Sequence, residues 1–282
     1  LPLADRWILS RCNRTIIEVT RLLENYDIGE AAREVYEFIW NEYCDWYIEL
    51  LKPRLYGRES ELSRQQAQQV LYQVLVNTLK LLHPFMPFIT EEIYQQLPGR
   101  DESIMISAWP LPQESHISDV AEKEMGLLMD VIRAIRNLRA EIKLPPGNPA
   151  ELILVIEDAK TMRVIEQGLG YIQNLAAISK VDCCPAMAKR PKQALTAVVA
   201  GVEVYLPLSG LVDLQKEAAR LEKEVAVSEQ EIKRLEGKLN NKGFLAKAPA
   251  AVVEKEKAKL ADYQAKKETL EERLALLRDT ED

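Results

Sequence analysis

Eight cationic side chains crowd one stretch of this chain. Between residues 233 and 259 stand Lys233, Arg234, Lys238, Lys242, Lys247, Lys255, Lys257 and Lys259, against only Glu236, Glu254 and Glu256. Such an excess of ammonium and guanidinium groups suits phosphate binding, although a lysine-rich solvated surface has the same composition. A second cluster is Arg133, Arg136, Arg139 and Lys143. It lies on a helical pattern whose apolar stripe is Ile132, Ile135, Leu138 and Ile142. Arg133, Arg136 and Lys143 share roughly one face opposite part of that stripe. They suit an RNA backbone, or equally an exposed face whose arginine stems cover apolar surface. Other chemistry is poorly provided for. Cys12, Cys44, Cys183 and Cys184 form no C-x-x-C pair, and only two histidines accompany them. No metal site is expected, and reduced, buried thiols in a cytoplasmic protein are the reading of the cysteines. His83, between Leu82 and Pro84, has no Ser or Cys nucleophile nearby and reads as part of a turn.

The elements that carry these residues are mostly helical. Trp7, Ile8, Ile16, Ile17, Val19, Leu22 and Leu23 form an apolar stripe, interrupted by Asn25-Tyr26-Asp27. A second helix is expected from about Ile28 to Leu51, limited by Pro53. A third runs from about Ser63 to Leu82, and Pro87 opens a fourth. A loop-rich stretch from Pro98 to about Ser118 leads to a helix from about Val120 to Lys143, stopped by Leu144-Pro145-Pro146-Gly147. Long helices with short connections imply an antiparallel bundle. Two β-branched runs, Glu151–Glu157 and Ala197–Leu206, flank a helix from about Ala159 to Ala177 and suggest a small α/β module.

The last segment shows the sharpest pattern. Leu211, Leu214, Ala218, Leu221, Val225, Ser228, Ile232, Leu235 and Leu239 follow 3-4 spacing. After Asn240-Asn241-Lys242-Gly243 and Pro249, Val253, Leu260, Tyr263, Leu270, Leu274 and Leu277 continue it, with Glu256 and Lys267 in the remaining seam positions. Heptads on both sides of such a break make an antiparallel coiled-coil hairpin, with arms roughly 40 Å long at 1.5 Å per residue. The expected fold is thus mainly α: a helical bundle over 1–147, a small α/β module over 148–209 and a coiled-coil hairpin over 210–282.

The net charge is −7, which argues against a protein coated for nonspecific nucleic-acid binding. Its distribution matters more. Residues 211–282 carry 15 Lys and Arg against 16 Asp and Glu, yet the distal stretch is strongly basic. A turn near residues 246 and 247 would set Arg234 opposite Lys259 and Lys238 opposite Lys255. Opposed cations are unfavourable unless an anion lies between or beside them, and RNA is the expected anion. No apolar run of about 18 residues or more is present, so no membrane span is expected. The opening Leu1-Pro2-Leu3-Ala4-Asp5-Arg6 is unlike a signal peptide and reads as a cut within a longer protein.

Three segments carry a family resemblance. Residues Ala31–Lys52, AAREVYEFIWNEYCDWYIELLK, resemble the anticodon-domain helix of valyl-tRNA synthetases. Residues Leu79–Tyr94, LKLLHPFMPFITEEIY, are similar to the next helix junction, shared more widely among class I synthetases. Residues Asn241–Glu254, NKGFLAKAPAAVVE, resemble the tip of the valyl C-terminal arm. The resemblance covers essentially the whole chain in the family's order. It implies that the bundle meets the anticodon stem and loop of tRNA(Val), whose splayed bases can be stacked and read at their edges, while the arm braces the outer corner of the tRNA. It assigns Ile48 to apolar contact with a base, and Glu49 and Lys52 to base edges or phosphate. On the arm it assigns Arg234 and Lys259, the pair the charge argument selects, with Lys238 and Lys255 as weaker candidates. Of Tyr36, Phe38, Trp40, Tyr43 and Trp46, most are expected in the core.

No H-x-G-H-like or K-M-S-K-S-like signature and no G-x-x-x-x-G-K-[ST] loop occurs. The family's ATP and Mg would therefore belong to a catalytic domain outside this chain, which is itself expected to hold no cofactor and to neither activate valine nor edit. The resemblance also implies a missing upstream helix that forms one wall of the anticodon surface. A monomer partnered by tRNA(Val) and its own catalytic domain is expected. The alternatives are a non-catalytic coiled-coil interaction protein and a subunit of a split enzyme. No cysteine-rich module of the isoleucyl kind is present.

Overall fold

The computed structural model describes residues 1–145, 147–187, 191, 193–208, 214–240 and 250–278. Leu211, Pro146 and the hairpin tip, with Lys242, Gly243, Lys247 and Pro249, lie outside them. The chain divides into two compact units, one of residues Leu1–Arg133 and Lys160–Ala177, the other of Ala134–Ala159 and Ile178–Asp282.

In the first unit, α1 (Leu3–Glu24) buries Trp7, Ile8, Cys12, Ile16 and Val19, the face its apolar spacing dictates. It ends where Tyr26 takes φ 63°, and the Tyr26 and Asp27 amides donate to the Leu23 and Leu22 carbonyls. α2 (Ile28–Glu37) runs without interruption into a π-wound segment (Phe38–Ile48) and then α3 (Glu49–Leu55). The helix passes Pro53 rather than stopping near Leu51. Pro53 has no N–H to donate to the preceding turn, yet the helix continues to Leu55, and Arg58 N–H closes the end on the Pro53 carbonyl at 3.0 Å. α4 (Glu61–Leu82) starts at Ser60, whose hydroxyl accepts from the Ser63 amide. α5 (Pro87–Gln95) begins with the expected proline. His83 Nδ1 lies 2.7 Å from Thr90 Oγ1, so the histidine ties the α4–α5 turn. α6 (Asp119–Glu141) follows, its residues to Arg133 in this unit and the rest in the second, and α7 (Ala159–Gln167) and α8 (Leu169–Ala176) complete the first.

One buried ion pair fastens this unit. Arg54 Nη1 donates to both carboxylate oxygens of Asp5, at 2.8 and 2.9 Å, and Tyr47 OH donates to Asp5 Oδ1 at 3.0 Å. Asp5 is fully buried, so these partners replace its water.

The sheet belongs to the second unit: β1 (Ala150–Ile156), β2 (Ile178–Cys184), β3 (Ala194–Val199) and β4 (Val202–Pro207), ordered β2-β1-β4-β3. β1 is parallel to β2 and antiparallel to β4. The single β run expected over Ala197–Leu206 is a hairpin instead, reversed at Ala200 (φ 48°) and Gly201 (φ 77°). β2 was not anticipated, and the one helix expected over 159–177 is two, parted at Gly168.

α9 (Leu214–Leu239) and α10 (Ala250–Arg278) form the expected hairpin. Leu221, Ser228 and Leu235 are buried on one helix, Glu256 and Leu270 on the other. The ion pairs Glu229–Lys267, 2.8 Å, and Lys238–Glu256, 3.2 Å, cross between the two helices in antiparallel register. No described helix is long and apolar enough to cross a membrane.

Candidate nucleic-acid interface

The helix from Ile28 to Leu55 buries Ala31, Val35, Phe38, Tyr43, Trp46, Tyr47, Leu50 and Leu51. Its opposite side is what a ligand could meet. Ile48, Glu49 and Lys52 are half-buried at its C-terminal part. Glu49 and Lys52, one turn apart, are paired with each other, Nζ lying 2.6 Å from Oε1. That hydrogen bond raises the lysine pKa. Both charges can turn to a new partner, because their side chains are 43 % and 39 % exposed and a pair that water reaches is weakly held.

The arginines of α6 do not act as one patch. Arg133 is exposed, bonds Asp130 at 2.8 Å and sets its guanidinium 5.0 Å from the centre of the Trp46 ring. Arg136 is exposed. Arg139 is buried, and its Nη2 donates to the carbonyls of Pro145 and Asn148 at 2.9 and 3.0 Å. It pins the loop after α6, and burial lowers its pKa. This corrects its assignment to an RNA backbone. Arg139 directly follows Leu138 and stands four residues after Ile135, which places it at the edge of the buried face.

On the arm, Arg234 is exposed and holds Glu231 at 2.7 Å, which raises its pKa. Lys255 is exposed. Lys238 lies opposite Glu256 rather than standing unrelieved against Lys255. Glu256 also meets Lys259 at 3.4 Å. The chain thus supplies an anion of its own between two of the opposed cations. The lysine of α9, first, and then that of α10 hold the Glu256 carboxyl below the usual carboxylate range. Even so, among the described residues 233–240 and 250–259, six cations stand against three carboxylates, so the basic bias persists.

Two surface residues were not singled out from the sequence. Tyr36 and Trp40 are 60 % and 52 % exposed, while Phe38, Tyr43 and Trp46 are buried as expected. The available signal was two aromatics four residues apart, which usually marks a core face. Among the cysteines only Cys12 is buried; Cys44, Cys183 and Cys184 are half-buried, unlike the expectation for all four. Among the described residues, no group of three or more His, Cys, Asp or Glu could hold a metal ion.

Comparison with known proteins bears on the same two surfaces. The family described as the anticodon-binding domain of tRNA ligase matches residues 5–154. The valyl tRNA synthetase tRNA binding arm matches residues 213–278. A valine–tRNA ligase from Carboxydothermus hydrogenoformans is 52% identical over 277 residues, covering 98% of this chain and 31% of the relative. Relatives of the same name from Clostridium acetobutylicum and Geobacillus kaustophilus are each 45% identical, with the same coverage. The chain spans about a third of the length of these relatives. With both segments in that order, the chain belongs to the tRNA ligase family that carries this anticodon-binding domain, and its last part is a tRNA-binding arm of the valyl type.

Proposed function

We propose that this chain is the tRNA-recognition portion of a valine–tRNA ligase, selective for tRNA(Val). The helical bundle meets the anticodon region through Ile48, Glu49 and Lys52. The arm meets the outer corner of the tRNA through Arg234 and Lys259, with Lys238 and Lys255 beside them. Arg133 and Arg136 add backbone contact. The complete enzyme attaches valine to tRNA with ATP and Mg bound by a catalytic domain elsewhere, and works as a cytoplasmic monomer. The observation that carries this reading is the pairing of an anticodon-binding domain with a valyl-type arm in one chain. The basic bias of the arm supports it.

A filter-binding comparison tests it, using tRNA(Val), a non-cognate tRNA and two salt concentrations. Affinity is expected to fall with salt, with a log–log slope of about −0.7 to −0.9 per phosphate neutralised. Arg234→Ala/Lys259→Ala is expected to weaken binding and make that slope shallower. Salt-independent binding, or an unaffected double variant, would instead fit an arm that docks other proteins.

A further inference from the structure

The middle of the long bundle helix is wound differently from its ends. From Phe38 to Ile48 its backbone follows π winding, with i→i+5 bonding, between α-helical turns on either side. Winding decides which residues align. In an α-helix a turn takes 3.6 residues, so positions four apart overshoot one turn and drift round the axis. In the wider π turn, positions four apart fall short and drift back. Joining the two keeps every fourth residue near one line.

Tyr36, Trp40, Cys44, Ile48 and Lys52 lie on that line. Tyr36 and Trp40 are exposed, and the other three are half-buried. The two rings meet with centroids 6.3 Å apart and planes tilted by 54°. Beside it runs a second line, Glu37, Asn41, Asp45 and Glu49, exposed except for half-buried Glu49. Every member of this second line carries a hydrogen-bond acceptor. Arg33 at 3.0 Å occupies one oxygen of Glu37, and Lys52 engages Glu49.

An apolar, partly aromatic strip bordered by acceptors matches an unpaired nucleobase. Every base has a π-face to stack, and adenine and cytosine carry exocyclic amino groups that donate to carboxylates. The same carboxylates repel phosphates, so RNA must approach base-first. A loop of splayed bases can do this, whereas a duplex presents its backbone. We propose that Tyr36 and Trp40 form a stacking platform for unpaired bases of a tRNA loop, continued by Ile48, with Asn41 and Asp45 accepting from the amino groups of those bases. This rests on the reading of the bundle as an anticodon-binding surface and extends that surface to residues about three turns away.

The test uses the whole chain and three RNAs: a tRNA(Val) transcript and two hairpins with the same stem, one with cytosines throughout its loop and one with uracils. Trp40→Ala should bind the transcript and the cytosine hairpin about ten-fold or more weakly, the loss expected for one stacked base. Trp40→Phe should retain most of the affinity. Asp45→Ala should erase a preference for cytosine over uracil loops, since the two rings are alike in size and differ in the amino group. Thermal unfolding should be unchanged in Asp45→Ala, and Trp40→Ala, whose indole is about half covered, should stay fully folded at the temperature of the binding measurement. Undiminished RNA binding by Trp40→Ala would overturn the platform while leaving the arm's contribution, read from Arg234→Ala/Lys259→Ala, intact. Failure of the unaltered chain to bind any of the RNAs would overturn the underlying reading as well. Concentration-dependent self-association abolished by Trp40→Ala, with RNA affinity unchanged, would assign the pair to a protein contact instead.

Discussion

The carboxylate of Glu256 lies 3.2 Å from the ammonium of Lys238 on the facing arm helix, and the glutamate is only 7 % exposed. A heptad seam ordinarily excludes such a group. Here it neutralises Lys238 and Lys259 together, where those cations would otherwise strain the pairing of α9 with α10. The arm can therefore form without RNA while keeping a basic surface beyond the seam.

Glu256→Gln should separate these two roles. It removes the negative charge and leaves two ammonium groups facing a neutral amide. The free arm should loosen, seen as faster hydrogen exchange over 221–239 and 252–270. A phosphate can then take the place of the carboxylate, so tRNA affinity should hold or rise. The pH dependence has a definite sign. The folded pKa of Glu256 is lowered, so its contribution is full above the unfolded value of about 4.3 and is lost as pH falls through the folded value. The unaltered arm should loosen in that acidic window, whereas the loss due to this residue should be missing in Glu256→Gln. Equal exchange in both proteins at neutral pH would remove Glu256 from the account of arm stability.

The Asp5–Arg54 pair offers a second test. Arg54→Met keeps most of the stem but abandons a buried carboxylate with only Tyr47 as a hydrogen-bonding partner among the contacts described above. Breaking a buried ion pair from one side costs about 3–5 kcal/mol. The double change Asp5→Leu/Arg54→Met removes both charges and should be less destabilising than the single one. Urea unfolding measures both. A single variant as stable as the parent would mean that water reaches Asp5.

What could be read in advance follows the range of its cause. The arm was legible because Leu221, Ser228, Leu235 and Leu270 obey a local 3-4 rule and are buried accordingly. The β3–β4 reversal was not, because Ala200-Gly201 lacks the usual Asn-Gly signal and Ala200 is held at positive φ. β2 was missed because Ser179, Lys180 and Asp182 make it too polar for the expected apolar run. At the candidate site, Arg139 resembled its basic neighbours, and only the Pro145 and Asn148 carbonyls distinguish it. The alignment of Tyr36 and Trp40 with Ile48 depends on π winding, which the sequence pattern did not indicate.

Gly168, where α7 and α8 part, packs closely against α6. A Cβ on Gly168 would stand 2.3 Å from Cδ2 of Leu128, which is fully buried on α6. Gly168→Ala should therefore cost about 1–3 kcal/mol by overpacking. Leu128→Ala opens space at that contact, so the double variant should lose less than the two single losses added together. Strict additivity in a denaturant melt would show that Gly168 is required for some reason other than Leu128.

Cys12 supplies the last prediction, an alkaline one. Burial pushes its thiol pKa up to about 12, against an unfolded value of about 8.5. Because the folded value is the higher one, the thiol's contribution is full below about pH 8.5 and declines as pH rises toward the folded value. The decline approaches about 1.4 kcal/mol per pH unit within that window. Cys12→Ala should flatten it between about pH 8.5 and 10, below the usual range of the tyrosines. The same burial makes Cys12 inert. At pH 8 iodoacetamide should label half-buried Cys44 well before Cys12, which should react only as the protein opens. Mass mapping of the labelled peptides reads the order. Native-state labelling of Cys12 at the rate of Cys44 would show that the α1 side of this core is open to solvent.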